Sequence, residues 1–228
     1  MKEAWARQYE QDGYVVIQGL FGEDEMKACK EEIRRIVERK DGAGKADGYA
    51  MHGVFVGLAK ESELFRRMAV DTRLAEVLKA IIGEQALFLS DKVVAKDAKK
   101  DFASPWHQDW MYWEGSHKLS VWIALDEATP ENGCLRMIPG SHRTAVSHAL
   151  HIDSRESFAS RLRPEDIDES KVVAIPAKVG TAVFFHDLTI HASYSNVSGK
   201  DRWALISTYK DAADPDPDLP WAYPIPVV

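Results

Sequence analysis

Residues 119–142 read LSVWIALDEATPENGCLRMIPGSH, and this stretch holds two short apolar runs separated by a turn sequence. Leu119 to Leu125 and Leu135 to Ile138 are rich in β-branched and other large apolar residues, which favours strands. Pro-Glu-Asn-Gly lies between the two runs and Pro-Gly-Ser follows the second, and both sequences are typical of turns. The stretch therefore predicts a sheet of short strands joined by tight connections.

The same strand pattern recurs further along the chain, whereas the N-terminal third has helical spacing. Apolar residues three and four positions apart predict a helix from Glu23 to Lys40, after a short strand from Tyr14 to Leu20. They also predict one or two helices from Ser62 to Ile82, with Asp71 as a possible N-cap. Further strands are predicted at Ala86 to Val94, Val172 to Ile175, Thr181 to Phe185 and Trp203 to Tyr209. Helices followed by many short strands are typical of a mainly β protein, a jelly-roll barrel buttressed by helices.

The length of 228 residues is within the range of one β-rich domain, so we expect a single domain over residues 1–228. Residues 1–85 would form a mainly helical support layer. Residues 86–210 would form the jelly-roll core, interrupted by a polar stretch from Thr144 to Ser170. Residues 211–228 contain five prolines, which exclude a central strand or helix, so this tail should lie on the surface.

Charge and cysteine content exclude several classes of function. The formal net charge is -7 and no basic tract occurs, which argues against nucleic-acid and membrane-surface partners and favours a small molecule. No apolar run approaches the ~20 residues of a membrane helix. Cys29 and Cys134 stand apart, so we expect neither a disulfide framework nor a thiolate zinc site. These features predict a cytoplasmic protein; they leave its oligomeric state open.

The segment from Trp106 to Trp110, WHQDW, places a histidine and an aspartate two residues apart. If this segment is extended, alternation puts His107 and Asp109 on the same face. Two imidazoles and one carboxylate on one side of the metal hold the iron(II) of non-haem oxygenases, which keep the remaining positions open. His191, in a later β segment, can supply the second imidazole. The sequence therefore predicts a metal site made of His107, Asp109 and His191.

The H-x-D pattern occurs a second time, at His151-Ile152-Asp153, inside the polar stretch. We favour the first copy because two tryptophans flank it and because His191 and Arg202 follow it. Arg202, 11 residues after His191, has the planar guanidinium that binds a carboxylate through two parallel hydrogen bonds. A solvent-exposed cap at a strand end is the common alternative for an arginine. Only its combination with the three metal ligands favours carboxylate binding.

Five motifs form a set: WHQD at 106–109, VWIALD at 121–126, ENGCLRMIPGSH at 131–142, VGTAVFFHDLTIHAS at 179–193 and DRWAL at 201–205. This set resembles the phytanoyl-CoA dioxygenase family of iron(II)- and 2-oxoglutarate-dependent oxygenases. The resemblance implies a double-stranded β-helix, the cupin-like jelly roll, with iron held by His107, Asp109 and His191. It also implies that Arg202 binds the C5 carboxylate of 2-oxoglutarate. Relatives that chlorinate carry Ala or Gly at the aspartate position, so Asp109 favours hydroxylation.

The resemblance implies co-substrate contacts for two further residues. Ser193 resembles a hydroxyl donor to the co-substrate carboxylate, and a serine that satisfies strand-end backbone is the alternative. Trp122 resembles a tryptophan beside the co-substrate, and alternation supports a lumen position, since Val121 and Ile123 belong to the opposite face. Burial of Trp122 in the core alone is its alternative.

An aromatic run beside the H-x-D motif is a candidate substrate pocket: Trp110, Met111, Tyr112 and Trp113. Apolar and aromatic side chains line many small-molecule sites. Such runs beside a strand are more often packing residues, and that alternative stays open.

Two other classes of function also stay open. A cupin-like hydrolase or isomerase with Zn or Mn would use the same three ligands but would leave Arg202 without a role. A non-catalytic jelly-roll binding module would have no use for three convergent ligands. The resemblance implies hydroxylation of an unactivated C–H bond of a small organic molecule, with Fe(II), 2-oxoglutarate and O2, and with release of succinate and CO2.

Overall fold

The computed structural model describes residues 1–42, 53–113, 115–150 and 160–227. The helices of the described residues precede the main β region, and they are α1 (Lys2–Asp12), α2 (Glu23–Gly42), α3 (Leu58–Glu61), α4 (Glu63–Ala69) and α5 (Thr72–Ile81). Helices α4 and α5 occupy the region from Ser62 to Ile82, where one or two helices were predicted. Ser62 and Asp71 begin them, because each side chain accepts a hydrogen bond from the backbone N–H two residues later. Helix α1 was not predicted, because its residues are mostly polar or charged.

The strands are short, and their bounds are β1 (Tyr14–Ile17), β2 (Val54–Val56), β3 (Ala86–Lys96), β4 (Ser104–His107), β5 (Leu119–Ala124), β6 (Leu135–Met137), β7 (Ala149–Leu150), β8 (Ser160–Arg161), β9 (Val173–Ile175), β10 (Ala182–His186), β11 (His191–Ser193), β12 (Arg202–Asp211) and β13 (Ile225–Pro226). Every strand predicted from the sequence is present within a few residues of its expected bounds. Strands β2, β4 and β11 are too short to stand out in the sequence, and β4 and β11 carry His107 and His191.

The larger sheet orders its strands β1-β10-β5-β12-β3-β13, with β2 also paired to β3. These pairs are antiparallel. The outer face packs on the helices, where Val121 and Phe184 share an apolar core with Met26 and Ile33 of α2 and Leu78 of α5. This packing holds the strands of the larger sheet in place under the site.

The smaller sheet orders its strands β4-β11-β6-β9 and covers the inner face of the larger one. Leu135 and Met137 of the smaller sheet share a second apolar core with Trp122, Val183 and Phe185 of the larger sheet. Two antiparallel sheets around a common lumen form the predicted jelly roll, which is confirmed as the fold class. Trp122 and Val121 lie on opposite faces of β5, as alternation predicts.

The proline-rich tail lies on the edge of the larger sheet, where β13 pairs with β3. Buried ion pairs anchor this tail, since Asp216 lies 3.2 Å from Lys118 Nζ and 2.6 Å from Lys210 Nζ. An edge position suits a proline, which cannot donate a hydrogen bond to a second neighbouring strand. No helix among the described residues is long and apolar enough to cross a membrane.

Candidate metal and co-substrate site

His107 and His191 are brought together by the pairing of two short strands. His107 is the last residue of β4 and His191 is the first residue of β11, and the two are direct partners in the antiparallel register. Directly opposed residues have side chains close together on one face of a sheet. The ring centroids of His107 and His191 are accordingly 4.1 Å apart.

Asp109 reaches the same point from outside the strand. The predicted extended segment ends at His107, and Asp109 begins a short 3-10 helix that runs to Tyr112. The fully buried side chain of Gln108 holds this turn: it donates to the carbonyls of Thr144 and Leu188 and accepts from the N–H of Val146. Alternation along one strand is therefore not what places Asp109 beside His107.

The three side chains converge on one point. Asp109 Oδ1 lies 3.5 Å from His107 Nε2 and 3.8 Å from His191 Nε2, and all three residues are buried. Ligand atoms bound to one metal ion at about 2.1 Å are separated by distances of this order. This trio can therefore hold a metal ion, and it leaves the cavity side of that ion to other ligands.

Hydrogen bonds orient each of these side chains. His107 Nδ1 lies 2.8 Å from the carbonyl of Pro105, and His191 Nδ1 lies 2.9 Å from the carbonyl of Thr189. A carbonyl only accepts, so each Nδ1 carries the proton and each Nε2 keeps a lone pair for a metal ion. Ser120 Oγ donates to Asp109 Oδ2 at 2.8 Å, which leaves Oδ1 on the side of the two imidazoles as the third ligand atom.

Electrostatics keep this trio in its ligating form. Burial opposes ionisation of Asp109, but the two imidazoles outweigh it and hold the pKa of the carboxyl below its usual value. Burial, and then the neighbouring imidazole of His107, lower the pKa of His191 to about 3. At neutral pH the site thus presents a carboxylate and a neutral His191, the forms that bind a divalent metal.

Arg202 lies in the same cavity, at the start of β12. It is 2% exposed, its guanidinium carbon lies 5.9 Å from the ring centroid of Trp122, and its Nε has no hydrogen-bond partner among the described residues. Burial lowers the pKa of Arg202 to about 10. A solvent-exposed strand cap is therefore excluded. A buried cation with an unsatisfied donor facing a cavity fits an anionic ligand.

Ser193 and Lys96 lie at the Arg202 end of the cavity. Ser193 Oγ accepts hydrogen bonds from Lys96 Nζ at 2.8 Å and from the N–H of Ser104 at 3.1 Å. Lys96 is fully buried, is the cross-strand partner of Arg202, and also donates to the carbonyl of Tyr194. Burial lowers the pKa of Lys96 to about 6. Sequence reasoning missed Lys96. Alternation along β3 is the signal that could have found it, because Lys92 and Val94 line the cavity and Lys96 lies two residues beyond Val94 on the same face.

The aromatic run after the H-x-D motif lies at the edge of the site and does not line the cavity that contains the metal ligands. The Tyr112 ring lies 5.9 Å from the His107 ring and is 40% exposed. The Trp110 ring packs against His117 at a tilt, Met111 is exposed, and Trp113 stacks on Trp221 of the tail. In this structure, packing between surface elements accounts for most of the run, and Tyr112 is its member nearest the metal ligands.

Two other histidine groups take no part in this cavity. His186 is the last residue of β10, not part of the strand that carries His191, and it lies beside Asp187 and His117. Asp187 accepts hydrogen bonds from the N–H of Lys118 and from Trp113 Nε1, so it anchors the loop before β5. The second H-x-D, His151 to Asp153, lies outside the described residues.

Fold and site define a 2-oxoglutarate-dependent non-haem iron dioxygenase, and comparison with known proteins agrees. The family model described as phytanoyl-CoA dioxygenase (PhyH) matches residues 9–204. The chain therefore belongs to the phytanoyl-CoA dioxygenase family. Its cofactors are Fe(II) and 2-oxoglutarate, with O2 as the oxidant.

Similar proteins include small-molecule dioxygenases. Ectoine dioxygenase of Stutzerimonas stutzeri (strain A1501) is 29% identical over 227 residues, which cover 88% of this chain and 74% of the relative. L-proline trans-4-hydroxylase of Streptomyces griseoviridis is 25% identical over 223 residues, 88% of this chain and 83% of the relative.

Two solved structures support the fold. The epimerase SnoN, in complex with Fe3+, alpha ketoglutarate and nogalamycin RO, has a TM-score of 0.77 at 23% identity, over 96% of this chain and 90% of that one. EctD from S. alaskensis, with 2-oxoglutarate and 5-hydroxyectoine, has a TM-score of 0.75 at 23% identity, over 92% and 76%.

Proposed function

We propose that this protein hydroxylates a C–H bond of a small organic molecule and releases succinate and CO2. In this proposal, His107, Asp109 and His191 hold the iron, and Arg202 holds the C5 carboxylate of 2-oxoglutarate. Ser193 donates a hydrogen bond to that carboxylate and Trp122 forms one wall of its site. The named activities of the relatives, on ectoine and on L-proline, support a small substrate.

The observation that carries the proposal is the pairing of a three-ligand cluster with a buried, incompletely hydrogen-bonded arginine in one cavity. A dicarboxylate can reach both groups, because one end can bind the metal while the other end pairs with Arg202. A hydrolase with the same ligands would leave the cost of burying Arg202 without compensation. Retention of Asp109 favours hydroxylation, since the carboxylate fills the position that a halide takes in the chlorinating relatives.

Each of this chain's residues has a separate task in the reaction. Bound iron and 2-oxoglutarate supply the activation of O2. Arg202 fixes the orientation of the co-substrate through a planar, two-point contact, and Trp122 excludes water from that end of the cavity. Ser120 holds the second carboxylate oxygen of Asp109 and thereby fixes which oxygen faces the metal.

A turnover experiment tests the proposal. The protein is loaded with Fe(II) without oxygen, 2-oxoglutarate is added and the visible charge-transfer band is recorded; O2 and a panel of small molecules then follow, with succinate and hydroxylated product as readouts. His107→Ala should lose the band and the turnover. His151→Ala, in the second H-x-D, is the matched control and should keep both. Metal binding without any band in the unaltered protein would instead indicate a hydrolase or isomerase.

A further inference from the structure

A second cation, Lys92, lines the cavity that contains the metal ligands and Arg202. It is close enough to act electrostatically on Asp109 and His191. We infer that the substrate carries an oxyanion, a carboxylate or a phosphate, and that Lys92 binds this group beside the metal. The inference rests on the proposed function, because it names the substrate class of the same site.

The strand register places Lys92 and Arg202 at different levels of the lumen. Arg202 pairs with Lys96 across β12 and β3, whereas Lys92 pairs with Ile206, and Ile206 in turn pairs with Trp122. Four residues of strand cover roughly 13 Å. The C5 carboxylate of 2-oxoglutarate would therefore lie at the Arg202 end of the cavity. Lys92 is four residues along β3 from the partner of Arg202, nearer the other end.

Of the lysines on the inner face of β3, Lys92 is the one available to a ligand. Lys96 is satisfied internally, since it donates to Ser193 Oγ and to the carbonyl of Tyr194. Lys92 has no hydrogen bond and no salt bridge to any described residue. It is nonetheless half-buried, so its charge is only partly solvated. A cation in such a position favours a charge-assisted hydrogen bond from an anionic partner.

A count of formal charges leads to the same substrate class. The two charges of Fe(II) and the charge of Arg202 balance Asp109 and the two carboxylates of 2-oxoglutarate. Lys96 donates its hydrogen bonds to Ser193 Oγ and to the carbonyl of Tyr194 and is not directed at the metal ligands. Lys92 then adds a positive charge without a hydrogen-bond partner among the described residues, beside the metal ligands. An oxyanion compensates this charge, a neutral molecule leaves it unpaired, and a cation is repelled.

Lys92 could bind a carboxylate of 2-oxoglutarate and not the substrate. The experiment must therefore separate substrate binding from co-substrate binding. The probes are anaerobic Fe(II)·2-oxoglutarate protein and matched pairs of small molecules: N-acetyl amino acids with their methyl esters, and alkyl phosphates with their parent alcohols. Binding is read from the change in the charge-transfer band, which needs no turnover. The variants are Lys92→Met and Lys92→Arg, and Lys99→Met, an exposed lysine outside the cavity, is the control.

We expect at least one anion to bind more tightly than its neutral partner. Lys92→Met should weaken its binding about 10- to 150-fold, which is the worth of one charge-assisted hydrogen bond. Lys92→Arg should restore part of the affinity, Lys99→Met should change nothing, and the affinity for 2-oxoglutarate should stay within about twofold throughout.

Three results would overturn the inference while the proposed function survives. They are tighter binding of the neutral partners, no binding by any anion, and undiminished anion binding by Lys92→Met. A loss of 2-oxoglutarate affinity in Lys92→Met, with anion affinity unchanged, would assign Lys92 to the co-substrate and also reject the inference. Absence of the charge-transfer band in the unaltered protein would reject the proposed function, and this inference with it.

Discussion

Replacement of Arg202 by Met tests whether this buried charge serves co-substrate binding or fold stability. The two roles predict opposite effects on the stability of the ligand-free protein. The methionine side chain keeps much of the volume and removes the guanidinium. A buried arginine whose charge is paired within the protein would lose stability on this change. Arg202 should instead lose affinity for 2-oxoglutarate while the ligand-free protein becomes no less stable.

The expected size follows from burial and from the missing partner. Burial lowers the pKa of Arg202 from 12.5 to about 10. At 1.36 kcal/mol per pKa unit this shift corresponds to a cost of about 3 kcal/mol for the charged form in the folded state. The sign follows from linkage: a depressed cation pKa disfavours folding below that pKa, so at neutral pH removal of the charge can only relieve the cost. On the ligand side, loss of a two-point charged contact removes about 1.5–3 kcal/mol.

Two measurements on the anaerobic Fe(II) protein check this reasoning. Titration of the charge-transfer band should give a dissociation constant for 2-oxoglutarate raised about 10- to 150-fold in Arg202→Met, and Arg202→Lys should recover little because a point charge lacks the planar fork. Thermal unfolding without ligand should show an unchanged or higher midpoint, at roughly 2–4 °C per kcal/mol. An unchanged dissociation constant, or a clear fall in the ligand-free midpoint, would refute the assignment.

Three further outcomes are expected. Ser120→Ala removes the hydrogen bond to Asp109 Oδ2 and should lower Fe(II) affinity about 10-fold or more in a metal titration; normal affinity would limit Ser120 to packing. Burial raises the pKa of Asp91 from 3.8 to about 7, so the folded state keeps a proton that the unfolded chain releases and stability falls as pH rises between these values. Asp91→Asn should therefore flatten the decline of the denaturation midpoint from pH 4 to 8, and an unchanged slope would exclude Asp91 as its cause. Gly180→Ala should destabilise by more than about 1 kcal/mol, because φ is +77° and a Cβ would collide with the Phe21 carbonyl, whereas Gly22→Ala should be mild in the same denaturation assay.

Most of the barrel could be predicted from sequence because its strands carry their own signal. In β5, Val121 and Ile123 face the helices while Trp122 and Ala124 face the lumen, as their alternation indicates. The trio of candidate ligands was also predictable, because His107 and Asp109 are near in sequence and His191 lies in a motif of its own. These features depend on local pattern, which a single sequence records directly.

The features that could not be predicted depend on contacts between distant segments. Asp109 reaches the metal through a turn held by Gln108, whose partners are 36 and 80 residues away. The burial of Lys96, and its bond to Ser193, require β3 to meet the end of β11. The positions of Trp110 to Trp113 could not be predicted either, because these residues pack on other surface elements, including the tail. Contacts between distant segments place these side chains, and the local spacing of apolar residues carries no information about such contacts.

The site also joins the two sheets, and this explains why its geometry depends on the whole barrel. His107 and His191 belong to the smaller sheet, whereas Asp109 is held by Ser120 of the larger one. Arg202 and Lys92 project from the larger sheet at separate levels, and Lys96 crosses from it to Ser193 of the smaller sheet. A metal ion and a dicarboxylate bound here would therefore fix the spacing of the sheets as well as their own positions. The Nε of the buried Arg202 has no partner among the described residues, and Asp109 converges with two imidazoles on one point. The same groups therefore favour the binding of an anion and of a metal ion between the two sheets.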